Sequence, residues 1–213
     1  NKAERDLQHI YSASEIAQNA GISAVVALRQ ANDPSFRTEV INGRIVFINK
    51  PPLGEPKAGT NPEFKDPKHK IGFDGEVRLA QAIHESVPDQ IVVSYGNGSG
   101  IHGADVITVD PKGNVYLYDN RVRNSGVSAS GVPKTAIQDS SALGPNGAWL
   151  AIDEIKASSL PQPLKKIATD NLEAGNYFAR TVGDGTGARN SALQQYVEGK
   201  PSSPEKIKTG VVA

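Results

Sequence analysis

The spacing of apolar side chains divides the first 48 residues into helices followed by a hairpin. Residues 12–15 read Ser-Ala-Ser-Glu, the order of a capping box, and apolar positions follow at helical spacing. We therefore predict a short helix over residues 3–11 and further helices to about residue 30. Residues 38–48 place Asn42-Gly43 between two apolar runs, and this pattern predicts a β-hairpin.

Residues 49–70 interrupt this regular pattern with prolines and glycines that alternate with lysines. Such a composition is typical of a linker or a long surface loop. We therefore predict a boundary here. It separates an N-terminal helical and hairpin segment, residues 1–70, from a second domain, residues 71–213.

From residue 74 onward, the pattern alternates between helix and strand. Asp74 is predicted to cap a helix that carries Glu76 in its first turn. An apolar strand over residues 90–95 follows, and then a glycine-rich loop over residues 96–103. Residues 104–121 predict an antiparallel hairpin, because two strand-like runs flank an Asp-Pro-Lys-Gly turn.

A last helix is predicted from about residue 164 to residue 180, ending near Gly183. Together, the helices and strands predict an α/β domain whose core is a mixed β-sheet flanked by helices. The small helical and hairpin segment precedes this core.

Composition narrows the classes of site that the chain can carry. Lys plus Arg number 23 and Asp plus Glu also number 23, so phosphate binding would need a local basic patch. The absence of cysteine excludes disulfides, thiolate zinc sites and cysteine nucleophiles. No apolar run is long enough for a membrane span, and no signal peptide is recognisable. Because the chain starts at Asn1 and contains no Met, we expect it to be a piece of a longer polypeptide.

Three acidic residues, Glu76, Asp105 and Asp119, are candidates for a metal site. Asp105 begins one hairpin strand and Asp119 ends its partner, so antiparallel pairing brings them to one end of the sheet. Each acid taken singly could be solvated surface, but Asp119 ends an otherwise uncharged apolar strand. Three close carboxylates repel one another unless a hard divalent cation neutralises them. Such a cation lowers the pKa of a bound water and stabilises a charged phosphate.

The order of helix-Glu, strand-Asp and Asp-x-basic resembles the restriction-endonuclease-like PD-(D/E)xK nucleases. In that family, a lysine follows the second acid by two residues, whereas this chain has Asp119-Asn120-Arg121. Arginine stays protonated and cannot act as a base, although it can bind phosphate. Either Arg121 is only a phosphate contact, or a lysine from elsewhere enters the site. We favour Lys134 for that role.

Five segments are similar to the C-terminal toxin domain of CdiA proteins, the large effectors of bacterial contact-dependent growth inhibition. They are residues 75–80 (GEVRLA), 95–107 (YGNGSGIHGADVI), 118–123 (YDNRVR), 171–177 (NLEAGNY) and 182–187 (VGDGTG). The resemblance implies a toxin that cleaves tRNA with Mg²⁺, Mn²⁺ or Zn²⁺ and is blocked by a cognate immunity protein of the CdiI type. It also implies a secreted, cell-surface-displayed effector whose toxin acts in the cytoplasm of a neighbouring bacterium.

The same resemblance allows two interpretations of residues 1–70. They are either a module that carries the toxin across the target envelope or part of the toxin fold. We expect the toxin domain to be a monomer without stable membrane association.

Several alternatives stay open at this point. Asp153-Glu-Ile-Lys156 also matches an acid-acid-x-Lys pattern and competes with Asp119. His102 could contact substrate, or act as the general base of a metal-independent ribonuclease. A DNase of the same fold is a further alternative. Another is an inactive binding domain on a nuclease scaffold, and Arg121 favours that hypothesis.

Overall fold

The computed structural model describes residues 36–122, 142–184 and 190–208. The helices predicted over residues 3–30 lie outside these residues, and so does Lys134. The first described elements are β1 (Thr38–Ile41) and β2 (Arg44–Phe47), which pair antiparallel. Asn42 and Gly43 between them have φ values of 51° and 76°, as a tight hairpin turn requires. The predicted hairpin is confirmed.

The first described helix, α1 (Pro67–Ser86), begins seven residues before its predicted cap at Asp74. Its actual N-cap is Asp66, whose carboxylate accepts the Lys68 N–H at 2.9 Å, and Pro67 presets the first helical φ. Asp74 lies inside the helix, where Lys70 forms an ion pair with it at 2.8 Å. The prediction was wrong because the Asp-Pro pair was attributed to the preceding loop.

The main sheet is mixed and contains the remaining seven strands. In chain order these are β3 (Ile91–Tyr95), β4 (Val106–Val109), β5 (Val115–Val122), β6 (Tyr177–Asp184), β7 (Asn190–Val197), β8 (Lys200–Pro201) and β9 (Glu205–Lys208). The strands β3, β4 and β5 form an antiparallel meander, β6 lies parallel to β5, and β7 is antiparallel to β6. Both β8 and β9 pair with β7.

The connection from β5 to β6 carries two helices, α2 (Pro145–Ala157) and α3 (Gln162–Glu173). The helix predicted to reach residue 180 ends at Glu173, and the last predicted positions, residues 177–180, belong to strand β6. The chain leaves α3 through Gly175, whose φ of 74° is a left-handed conformation that ends a helix. The apolar residues after Gly175 pack in the sheet, and their spacing alone did not distinguish them from residues of a helix.

Helices cover both faces of the sheet. On one face, α1 contributes Leu79 and Ile83 to a cluster with Tyr118 of β5. On the other face, α2 and α3 pack against a larger cluster that includes Ile107 and Leu117. The chain is thus a mixed α/β protein with a mixed sheet between helices, as predicted at this level.

The segment before α1 contacts the edge of the sheet. Lys57 N–H donates to the Tyr95 carbonyl at 2.8 Å, and Ala58 N–H donates to the Gly96 carbonyl at 2.9 Å. The Tyr95 hydroxyl donates to the Gly54 carbonyl at 2.6 Å. Whether residues 1–70 act as a separate module stays a prediction. Among the helices described, none is long and apolar enough to cross a membrane.

Candidate functional site

The β4–β5 hairpin brings Asp105 and Asp119 to the same end of the sheet. Val106 is paired with Tyr118, so Asp105, just before β4, lies at the end of the hairpin where Asp119 is found. Two hydrogen bonds fix this arrangement. Asp105 N–H donates to the Tyr118 carbonyl at 2.8 Å, and Asn120 N–H donates to Asp105 Oδ2 at 2.6 Å.

Glu76 reaches this region from α1 because Gly75 lets the helix approach β5 closely. A Cβ atom at Gly75 would lie 2.3 Å from Val122 Cγ2 and 2.6 Å from Asn120 Nδ2. Glu76 Oε2 accepts the Asn97 N–H at 2.8 Å. The first turn of α1 contains no acidic residue, so the expectation that Glu76 lies there beside the helix dipole is wrong. Close packing against β5 positions Glu76 instead.

The three carboxylates interact electrostatically. Burial raises the pKa of Glu76 to about 7; the Asn97 N–H opposes this shift and the charge of Asp119 adds to it. Burial also raises the pKa of Asp105 well above its usual value, and the charges of Glu76 and Asp119 raise it further. The Asn120 N–H and Arg121 partly offset that shift. Buried, mutually repelling acids of this kind occur often at functional sites.

Arg121 is bound to Asp119 on the strand itself. Its Nε lies 2.7 Å from Asp119 Oδ2, and the arginine side chain is 51% exposed. Residues two apart on a strand point to the same face, which explains why the pair forms. The guanidinium therefore neutralises Asp119 while keeping an exposed surface.

Carboxylate oxygens are the donors that a hard divalent cation prefers. In the described parts of the chain, however, no group of three or more His or acidic side chains is arranged so that it could hold a metal ion. The 2.7 Å contact with Arg121 also occupies one oxygen of Asp119. The donor chemistry fits a cation, but Arg121 would have to release Asp119.

His102 lies beside these acids at a separate cavity. It is exposed and lines a cavity of about 310 Å³ between the 96–104 loop and α2. Asn97 and Ala104 line the same cavity, and Asn97 Nδ2 donates to the Ala104 carbonyl at 3.0 Å. The loop that carries His102 therefore places it near the acids.

Asp153 and Glu154, the sequence rivals of Asp119, lie on α2, whereas Asp119 lies within β5 rather than at the strand end predicted for it. Both line the same cavity, and Glu154 forms an ion pair with Lys57. The charge of Asp119 raises the pKa of both Glu76 and Asp105. The electrostatic cluster is therefore the one with Asp119.

Sequence reasoning missed two residues at this site. The backbone N–H of Asn97 binds Glu76, and Lys57 crosses from the proline-rich segment to α2. A backbone donor has no sequence signature, and Lys57 was one of several lysines in an apparent linker. Lys134, which was proposed to supply the missing lysine, is not among the residues that the structure describes.

No family model matches the chain, and no curated protein or solved structure gave a significant match. The resemblance to CdiA toxin domains therefore rests on the segments quoted above.

Proposed function

We propose that this chain is a divalent-metal-dependent endonuclease that hydrolyses phosphodiester bonds of tRNA. The observation that carries the proposal is the interaction of Glu76, Asp105 and Asp119, which come from three separate segments. Charges brought together in a partly buried site are costly to the fold, unless a bound cation neutralises them.

Each residue has a chemical role in this proposal. A bound divalent cation would activate a water and offset negative charge on the phosphate. Glu76, Asp105 and Asp119 would supply its oxygen ligands. Arg121 would exchange Asp119 for a phosphate oxygen of the substrate, a contact to which its guanidinium is well suited. Lys134 is proposed to assist the attacking water.

The preference for tRNA comes from the CdiA resemblance, as do the cognate immunity protein and action in the cytoplasm of a neighbouring bacterium. The neutral overall charge gives no general attraction to nucleic acid. Substrate preference must therefore be measured, with purified tRNA and plasmid DNA as separate substrates.

The decisive experiment compares Asp105→Asn with Asp74→Asn. Asp74 is a half-exposed residue of α1 that forms an ion pair with Lys70, so its variant is a matched control. We expect Asp105→Asn to lose tRNA cleavage in Mg²⁺, Mn²⁺ and Zn²⁺, while Asp74→Asn retains it. Full activity of Asp105→Asn would refute the proposal. Cleavage that persists in EDTA would instead favour a metal-independent ribonuclease with His102 as its base.

A second candidate function is an inactive nucleic-acid-binding domain. The 2.7 Å contact between Arg121 and Asp119 favours it, because a carboxylate paired with arginine is less available to a cation. Binding of tRNA without cleavage in any of the three metals would support this function. If Arg121→Lys then restored cleavage, the scaffold would be a nuclease inactivated by a single residue.

A further inference from the structure

The cavity beside the acids has the size and position of a ligand site. Its volume of about 310 Å³ is at the lower end of the range for small-molecule sites, roughly 300–1,000 Å³. Two lining residues connect it to the acids. The Asn97 N–H binds Glu76, and Ala104 directly precedes Asp105. A group in the cavity would therefore lie next to whatever the acids bind.

The walls of the cavity are largely aliphatic. Ile101 of the loop and Leu150 of α2 both line it, and they are 46% and 40% exposed, respectively. A Cβ atom at Gly103 would lie 3.7 Å from Leu150 Cδ1, so the loop and α2 face each other closely here. Ile107 lines the cavity from the sheet and is buried. Such walls suit the flat face of an aromatic ring.

The polar groups of the cavity are unsuited to phosphate. Asp153 and Glu154 of α2 both line it, and Lys57 forms an ion pair with Glu154. Carboxylates repel phosphate but accept hydrogen bonds from amino groups, as they do from the N4 amino group of cytosine. Asn97 and His102 add groups that can donate or accept. The ligand should therefore be uncharged, flat and rich in hydrogen-bond donors at one edge.

We propose that this cavity binds one unstacked nucleobase and selects a base that carries an exocyclic amino group. The base would lie between Ile101 and Leu150 with its amino group toward Oε2 of Glu154, because Lys57 contacts Oε1. Its role as a substrate subsite rests on the proposed nuclease function, because the neighbouring phosphate would then lie at the acids. The binding itself does not depend on cleavage.

Nucleoside binding tests the proposal without any catalytic step. Cytidine and uridine are the probes, because cytidine has an exocyclic amino group that can donate to the carboxylate where uridine has a carbonyl oxygen. Each is titrated to millimolar concentration while the methyl resonances of Ile101 and Leu150 are followed by NMR. We expect shifts confined to the cavity and binding of cytidine about tenfold tighter than binding of uridine.

Three variants complete this test. Glu154→Gln should remove the preference for cytidine, and Leu150→Ala should weaken the binding of both nucleosides. Glu85→Gln, an exposed acid near the end of α1, should change neither. Thermal unfolding and the remaining NMR resonances check that each variant is folded. If the two nucleosides bind the wild-type protein equally, or if neither shifts the cavity resonances, the proposal is overturned.

Cleavage assays separate this proposal from the nuclease function. Oligoribonucleotides that differ in one base beside the cut should be cleaved with a preference that Glu154→Gln reduces about tenfold. Cleavage with a preference that Glu154→Gln leaves unchanged would overturn the cavity proposal while the nuclease survives. Selective cytidine binding by a protein that cleaves nothing would support the cavity and refute the nuclease.

Discussion

At the scale of single residues, aspartates close in sequence have different environments. Asp110 accepts hydrogen bonds from the N–H groups of Lys112 and Asn114 at 2.9 Å, and from Asn114 Nδ2 at 2.8 Å. These bonds close the β4–β5 turn and account for a buried acid in structural terms. Asp105 accepts one backbone N–H bond, from Asn120, and is close to two other acids. The difference indicates a structural role for Asp110 and a site role for Asp105.

Glu76 should make the metal-free protein less stable as the pH rises. Its pKa is about 7 in the folded protein against a usual 4.5, so between these values the folded state holds a proton that the unfolded chain releases. The stabilisation is complete below pH 4.5 and is lost as the pH rises through about 7. Glu76→Gln should remove this pH dependence. Relative to wild type, we expect the free energy of unfolding of this variant to increase by about 1–3 kcal/mol between pH 5 and pH 8.

Urea unfolding in EDTA at pH 5 and pH 8 measures this difference. Asp74→Asn is the control, because Asp74 is a half-exposed acid in the same helix. The control should follow the wild-type pH dependence. If the stability of Glu76→Gln shows the same pH dependence as that of wild type, Glu76 does not have a raised pKa in the folded protein.

At the scale of secondary-structure elements, the close approach of α1 to β5 determines whether Glu76 can lie near the other two acids. Gly75 is buried at this crossing, whereas Gly72, one turn earlier, has open space beside it. The strand residues beneath Gly75 are Asn120 and Val122, which lie next to the Asp119-Arg121 pair. A change in the helix position would therefore move Glu76 relative to β5.

Alanine substitutions at the two glycines should have opposite effects. Gly75→Ala places a Cβ 2.3 Å from Val122 Cγ2, and we expect it to destabilise the fold by about 1–3 kcal/mol. Gly72→Ala meets nothing within 4 Å and should stabilise the helix by about 0.5–1 kcal/mol. Chemical denaturation of both variants checks the pair. Equal effects would mean that the close contact between α1 and β5 is absent.

At the scale of the whole molecule, the acids connect parts of the chain that are far apart in sequence. Glu76 lies on α1, Asp105 precedes β4, and Asp119 lies within β5. Burial, with the added charge of Asp119, raises the pKa values of Glu76 and Asp105, so their ionised forms oppose the folded state. A cation bound there would relieve the repulsion and link the helix to the sheet.

Divalent metal should therefore stabilise the folded protein even without substrate. A cation at one hundred times its dissociation constant adds about 2.7 kcal/mol to the free energy of unfolding. We expect Mn²⁺ to raise the unfolding temperature of the wild-type protein, and EDTA to reverse the effect. Asp105→Asn should lose the response and Asp74→Asn should keep it. An equal response in all three proteins would mean that the metal binds elsewhere.

Local sequence patterns were sufficient for several elements. Asn42-Gly43 predicted the first hairpin, and the Asp-Pro-Lys-Gly turn predicted the second, because turn chemistry depends on neighbouring residues. Boundaries were less accurate. The start of α1 was placed at Asp74, and α3 was extended into β6, because apolar spacing does not show which surface a segment packs against.

The sequence by itself determined the two hairpins, the α/β class and the identity of the three acids as candidates. Only the tertiary structure decided that Glu76 reaches the hairpin through the close approach of Gly75 to β5, and that Arg121 occupies an oxygen of Asp119. It also brought Lys57 and Glu154 together beside the cavity, although 97 positions separate them. The physical reason is the range of the interactions. Turns and caps depend on adjacent residues, whereas packing, burial and charge depend on residues that only folding makes neighbours.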